Sequence, residues 1–180
     1  MSLTIPLPEW LDSINRSQTA FPDVASAMQF VIALSRRSTE DGGGPFGAAV
    51  LSDTLELVAA GVNRVMPAQA SILHAEMLAL LLAQQKVGSH DLSVAGRFIL
   101  VTSCAPCAMC LGAIPWSGIQ RVVCGARGED AEAIGFDEGD KPDAWQARLA
   151  ARSIQVEGDV CRLEAVAVLQ AYRAGGGSLY

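Results

Sequence analysis

Short apolar runs of strand character alternate along this chain with segments of helical spacing, and that order rules out most architectures. Pro8 to Arg16 and Pro22 to Arg37 read as helices, the second with Val24, Ala27, Met28, Val31, Ile32 and Leu34 in helical register. "EDGGGPFG" then stops the helix, because three glycines and a proline cannot extend it. Phe46–Leu51 and Leu55–Gly61 are predicted strands joined by a tight turn at Ser52-Asp53, and Ser71 is a predicted N-cap for a helix running to Lys86. Beyond it come a buried strand at Arg97–Thr102, a helix at Pro106–Ile114, a strand at Arg121–Gly125, a helix near Ala144–Arg152, a strand at Ser153–Glu157 and a helix from Asp159 to Arg173. Helices between strands imply a layered α/β sheet rather than a bundle or barrel.

Length and composition agree with one domain over residues 1–180, with 175–180 a flexible C-terminal tail. No apolar run reaches membrane-span length, and the N-terminus lacks the basic-then-apolar pattern of a signal peptide. Five cysteines, three of them clustered, fit a reducing cytoplasm better than a disulfide framework. A net charge of −6 argues against nucleic acid, whose phosphates call for a basic face.

The chemistry centres on "SCAPCAMC", residues 103–110. Cys107 and Cys110, three apart on a predicted helix with Pro106 expected at its first position, share one face. The positive end of a helix dipole favours thiolates there, a prepared pair of soft metal ligands. A catalytic zinc commonly takes three protein ligands and keeps a position for water. Of the two histidines, His90 sits in the polar turn "VGSHDLS" and reads as an exposed loop residue, whereas His74 opens the apolar segment "HAEMLAL". Glu76, set among leucines, is hard to explain as packing and makes sense as the acid/base for an activated water. H-x-E followed by P-C-x-x-C is the constellation of zinc-dependent base deaminases. A redox C-x-x-C leaves His74 and Glu76 unexplained, and the ferredoxin run is broken by Ile114 where a cysteine is required. A closed structural zinc site would recruit Cys104, but as the last residue of a strand it points away from the helix face and reads as a small core residue.

With "HAEMLAL" and "PCAMCLGAI" in place, the chain resembles the cytidine deaminase-like superfamily, and "GGPFGAAV", "GVNRV", "SCAPCAMCLGAIPW", "AEAIGFDE" and the terminal tyrosine are similar to bacterial guanine deaminases. The resemblance implies a three-layer α/β/α sandwich with a central five-stranded mixed sheet, in a homodimer whose C-terminal segments are exchanged. It implies Zn2+ held by His74, Cys107 and Cys110, with Glu76 as proton shuttle and Glu138 as a second acidic residue in proton transfer. It implies a purine held by Phe46, Asn63, Ala75, Trp116, Phe136 and Tyr180, and hydrolysis of guanine to xanthine and ammonia. Deamination of adenosine in transfer RNA, or of cytosine or an amino-triazine, would use the same zinc motif. A zinc-stabilised binding domain without catalysis is the reading from another class, and Glu76 speaks against it.

The sequence departs from the pattern at Ala105, where the superfamily usually has Glu, and at Glu138, where a shorter Asp is usual. Glu129, Asp130, Glu132 and Asp140 read as solvated acids, and the insertion Val87–Gly96 carries no functional reading. "AGGGSLY" combines reach with an aromatic anchor, which predicts that Tyr180 closes the site of a partner chain.

Overall fold

Residue alternation along the central strands builds two cores. In the computed structural model, which describes residues 5–180, five strands form one sheet in the order β2-β1-β3-β4-β5. They are β1 (Gly47–Ser52), β2 (Leu57–Val62), β3 (Phe98–Cys104), β4 (Arg121–Ala126) and β5 (Gln155–Glu157). The β2–β1 and β1–β3 pairs are antiparallel, and β3–β4 and β4–β5 are parallel. Ala49, Leu51, Ile99, Val101 and Val123 face one core; their neighbours Ala48, Val50, Leu100, Val122 and Cys124 face the other. The first core is covered by α1 (Glu9–Arg16), α2 (Val24–Glu40), α6 (Gly128–Glu132) and α8 (Arg162–Ala174), through residues such as Leu11, Val31, Ala131 and Leu169. The second is covered by α4 (Ala75–Val87), α5 (Ala108–Ser117) and α7 (Trp145–Ala150), through Ala79, Ile114 and Leu149. The result is the three-layer sandwich with a mixed five-stranded sheet.

Small residues decide how closely α4 approaches. β2 reads "LVAAGV", and Gly61 faces the helix so tightly that a Cβ there would lie 2.3 Å from the Ala75 carbonyl oxygen and 2.5 Å from the Ala79 nitrogen. Ala75, Ala79 and Ala83 supply the matching stripe on the helix.

Element boundaries differ from the sequence reading where caps compete. α2 begins after Asp23, whose carboxylate accepts from the Ser26 N–H at 2.7 Å. The β1–β2 turn extends to Leu55, whose φ of 62° delays the return strand to Leu57. α4 is capped by His74, not Ser71, because an unanticipated short helix α3 (Val65–Ala68) and a turn occupy the preceding residues. The acidic stretch after β4 begins with α6 before becoming irregular, and Leu92 of the 87–96 insertion is fully buried. No described helix is long and apolar enough to cross a membrane.

Candidate metal and deamination site

Two helix starts meet to make the metal cluster. His74 is the N-cap of α4, and Cys107 is the N-cap of α5, with Cys110 in that helix's first turn. Pro106 therefore precedes the helix rather than opening it, since Cys107 has an extended ψ of 174°. His74 Nδ1 lies 3.4 Å from Cys107 Sγ and 3.6 Å from Cys110 Sγ. Ligands about 2.3 Å (sulfur) and about 2.0 Å (nitrogen) from a tetrahedral zinc stand roughly 3.5 Å apart, so the spacing fits that ion. Among the described residues these three form the one cluster of ligand atoms of this kind, all within 4.8 Å of one another. Cys104 is not a member; its thiol donates to the Arg127 carbonyl oxygen at 3.3 Å, and burial pushes its pKa well up.

The thiols are already polarised. A hydrogen bond from Cys110 lowers the Cys107 pKa to about 4 against the cost of burial, with His74 assisting. The same hydrogen bond raises the Cys110 thiol, which therefore keeps its proton until a cation displaces it. Burial opposes charge on His74, but Cys107, Glu76 and Glu138 outweigh it and hold the imidazole above its usual pKa.

Two buried carboxylates share this cavity. Glu76, in the first turn of α4, is raised chiefly by burial, then by the Cys107 charge. Glu138 is pushed up to about 7, again chiefly by burial, with Lys141 pulling the other way. The cavity is lined by Phe46, Asn63, His74, Glu76, Cys107, Phe136, Asp137, Glu138 and Tyr180, with about 30 Å³ free. Asn63 is clamped: its Oδ1 accepts from the Val65 N–H at 3.1 Å and the Gly44 N–H at 3.4 Å, which leaves the amide NH2 as the group free to donate. Phe136 is the aromatic hub, with ring centroids 4.9 Å from Phe46, 5.4 Å from Tyr180 and 6.0 Å from Tyr172.

Three expectations change. Ala75 is fully buried between His74 and Glu76 and belongs to the packing against Gly61, so its side chain does not line the cavity. Trp116 is 83% exposed near the far end of α5, outside this chain's cavity, because the helix turns its other face to the sheet. The tail lies over its own chain's cavity. The Tyr172 hydroxyl donates to the Ser178 carbonyl oxygen at 2.6 Å, and Gly177 sits directly on the Tyr172 ring, which folds the chain back. The Tyr180 hydroxyl ends buried against Gly44, with no hydrogen-bond partner among the described residues. Asp130, read as solvated, is half-buried and bidentate with Arg162. Asp137 and Lys141 were missed, and only the glycine-punctuated turn around Gly139 signalled a fold-back there.

Comparison with known proteins agrees with this geometry. Residues 23–126 match the cytidine and deoxycytidylate deaminase zinc-binding region. The chain is 45% identical to a solved guanine deaminase from Nitrosomonas europaea, with a TM-score of 0.94 and coverage of 96% of this chain and 97% of that one. A solved complex with 2,6-diaminopurine is 46% identical, with a TM-score of 0.95, over 99% of this chain and 96% of that one. Guanine deaminase of Bacillus subtilis is 41% identical over 96 residues, which span 53% of this chain and 59% of that protein.

Proposed function

Because this chain belongs to the cytidine and deoxycytidylate deaminase family, we propose that it hydrolyses guanine with water to xanthine and ammonia. The observation that carries the reading is the convergence of Glu76, Glu138, the three-ligand cluster and an aromatic slot on one cavity. Zinc, when held by His74, Cys107 and Cys110, supplies a Lewis acid that lets a water lose its proton near neutral pH.

Everything else falls to the chain's own residues. Glu76 takes the water proton and delivers it to the ring nitrogen beside the attacked carbon; its raised pKa suits it to hold that proton in passing. Glu138, titrating near neutrality, protonates the departing amino group and regains a proton from the added hydroxyl as it becomes the carbonyl. The Asn63 amide donates to the base, and Phe46 and Phe136 flank its ring. Tyr180 closes the mouth and leaves no room for a ribose.

The outer face of α5 calls for a second copy of the chain. Its sequence "AMCLGAIPWS" is apolar all round, yet Met109 and Trp116 are exposed. A homodimer covering that face, in the cytoplasm, is the assembly that fits.

Ammonia release from guanine, adenine, cytosine, cytidine, guanosine and an RNA stem-loop tests the reading. Guanine is expected to lead by far. Faster release from cytosine or from the stem-loop would replace it with the corresponding alternative.

A further inference from the structure

A polar cleft of about 550 Å³ lies outside the reaction pocket. Its walls come from the ends of β4 and β5, the start of α6 and the segment 138–146. One residue of the chemistry, Glu138, lines both spaces. On the cleft side stands Lys141, which does not line the pocket.

Lys141 is where an ordinary surface lysine would not be. Its side chain is 12% exposed and that of Glu138 8%, with Nζ 3.4 Å from Oε2. Burying an ammonium costs several kcal/mol unless a partner compensates it. The cleft offers exposed acids in Glu129, Glu132 and Asp143, any of which a solvated lysine could meet in water. Lys141 turns inward instead, with Nζ 5.0 Å from the centroid of the Trp145 ring. Arg127, the other cation of the cleft, is committed to a bidentate pair with Asp159.

Backbone geometry enforces the arrangement. Gly139 adopts φ +68°, its N–H donates to Asp137 Oδ1 at 2.8 Å, and the Lys141 N–H donates to the Gly139 carbonyl at 2.7 Å. This turn brings Lys141 back over Glu138. Gly128 roofs the pair so closely that a Cβ there would lie 3.1 Å from Nζ and 3.3 Å from Oε2. The Glu138 carbonyl accepts from the Ala108 N–H at 2.9 Å, beside the ligand Cys107. Main chain and carboxylate are thus fixed by separate contacts.

We propose that Lys141 is a positioning residue that holds the Glu138 carboxylate in the reaction pocket from behind, without touching substrate. A carboxylate that must meet a leaving group loses rate steeply when it swings by an ångström. Packing against Trp145 and the Gly128 backbone gives the lysine one place to stand, so the ion pair transmits that rigidity to Glu138.

The turnover part of the test rests on the guanine reading; the structural part does not. In zinc-loaded Lys141→Met, kcat for guanine should fall by about tenfold or more, with KM within about twofold of wild type and zinc content intact. Lys141→Arg should recover most of the loss. Crystal structures should find Glu138 displaced in Lys141→Met and restored in Lys141→Arg. Lys141→Gln, which keeps a donor of neutral charge, serves if the methionine variant does not fold, with the same displacement and a smaller kcat loss expected. An unmoved Glu138 with wild-type kcat would overturn the proposal, and so would a rise in KM alone, which would make Lys141 a binding group. If the wild-type protein released no ammonia from guanine, the guanine reading would fall while the crystal structures still decided the role of Lys141.

Discussion

Gly61→Ala joins the fold to the chemistry in one methyl group. The added Cβ would stand 2.3 Å from the Ala75 oxygen and 2.5 Å from the Ala79 nitrogen, about 1 Å short of ordinary contact. Both atoms are helix backbone, so no side chain can rotate away, and α4 must retreat from β2. Overpacking of this kind costs about 1–3 kcal/mol. For a chain of this size that lowers the melting temperature by roughly 2–12 °C. The same retreat moves His74 and Glu76, which sit at the start of α4, away from Cys107 and Cys110 on α5. Metal sites tolerate errors of only about 0.2 Å, and a catalytic group misplaced by ~1 Å loses on the order of a hundredfold in rate. Calorimetry, metal analysis and ammonia release on one preparation would therefore register lower stability, weaker zinc retention and reduced turnover together. A variant with an unchanged melting temperature would refute the close-approach reasoning; one that is destabilised but keeps full turnover would refute the coupling between β2 and the site.

Metal analysis should find about one zinc per chain, lost on Cys107→Ala or Cys110→Ala and retained on Cys104→Ala, whose thiol is bonded to Arg127 instead; loss of zinc from Cys104→Ala would contradict the open three-ligand site. Glu76→Gln should keep zinc and lose on the order of a hundredfold or more in turnover, and near-wild-type rates would remove Glu76 from proton transfer. Zinc affinity should weaken as pH falls. Cys110 binds only after giving up a proton that its raised pKa retains, whereas Cys107 is already ionised above about 4. Competition with a chelator between pH 8 and 6 should show about a decade per unit from Cys110, steepening once His74, also raised, takes up its own proton; an affinity independent of pH would exclude proton release from the cluster.

The legible parts of this protein are those where a residue type and its spacing admit few physical explanations. A histidine and a glutamate opening an apolar helix, and two cysteines three apart at the start of another, leave little but a metal and its acid/base partner. The strands were legible because alternation along Ala48–Leu51 and Phe98–Val101 feeds two cores at once. Caps were less so. Ser71 is a better N-cap by type than His74, yet the Arg64 N–H bonds to the Leu73 carbonyl and fastens that loop until the helix can begin only at Ala75. Trp116 is placed toward the base by the resemblance alone, while its direction depends on which face of α5 meets the sheet, and a helix apolar all round does not reveal that.

The wall of the pocket was legible only through the family resemblance, and there is a physical reason why residue pattern alone does not reach it. Glu138 and Tyr180 reach the cavity through irregular backbone, where neither a period of two nor one of 3.6 applies. Their positions come from contacts a sequence does not announce: Lys141 behind Glu138, and the Tyr172 hydroxyl holding Ser178. The metal and Glu76 stand on helix starts packed against the sheet and cannot move without it. The lid is different, because Tyr180 lines the cavity from the end of a tail rather than from a helix or strand packed on the sheet. Gly175, Gly176 and Gly177 lie between the Tyr180 ring and α8, with Gly176 at φ +74°, so the tail has backbone freedom to swing the ring aside for a base. The closed form is held by the Tyr172 hydroxyl on Ser178, the Gly177 N–H on the Tyr172 carbonyl, Leu179 against Gly135, and Tyr180 against Gly44 and the Phe136 edge, contacts that can release and re-form in each turnover without disturbing the sheet.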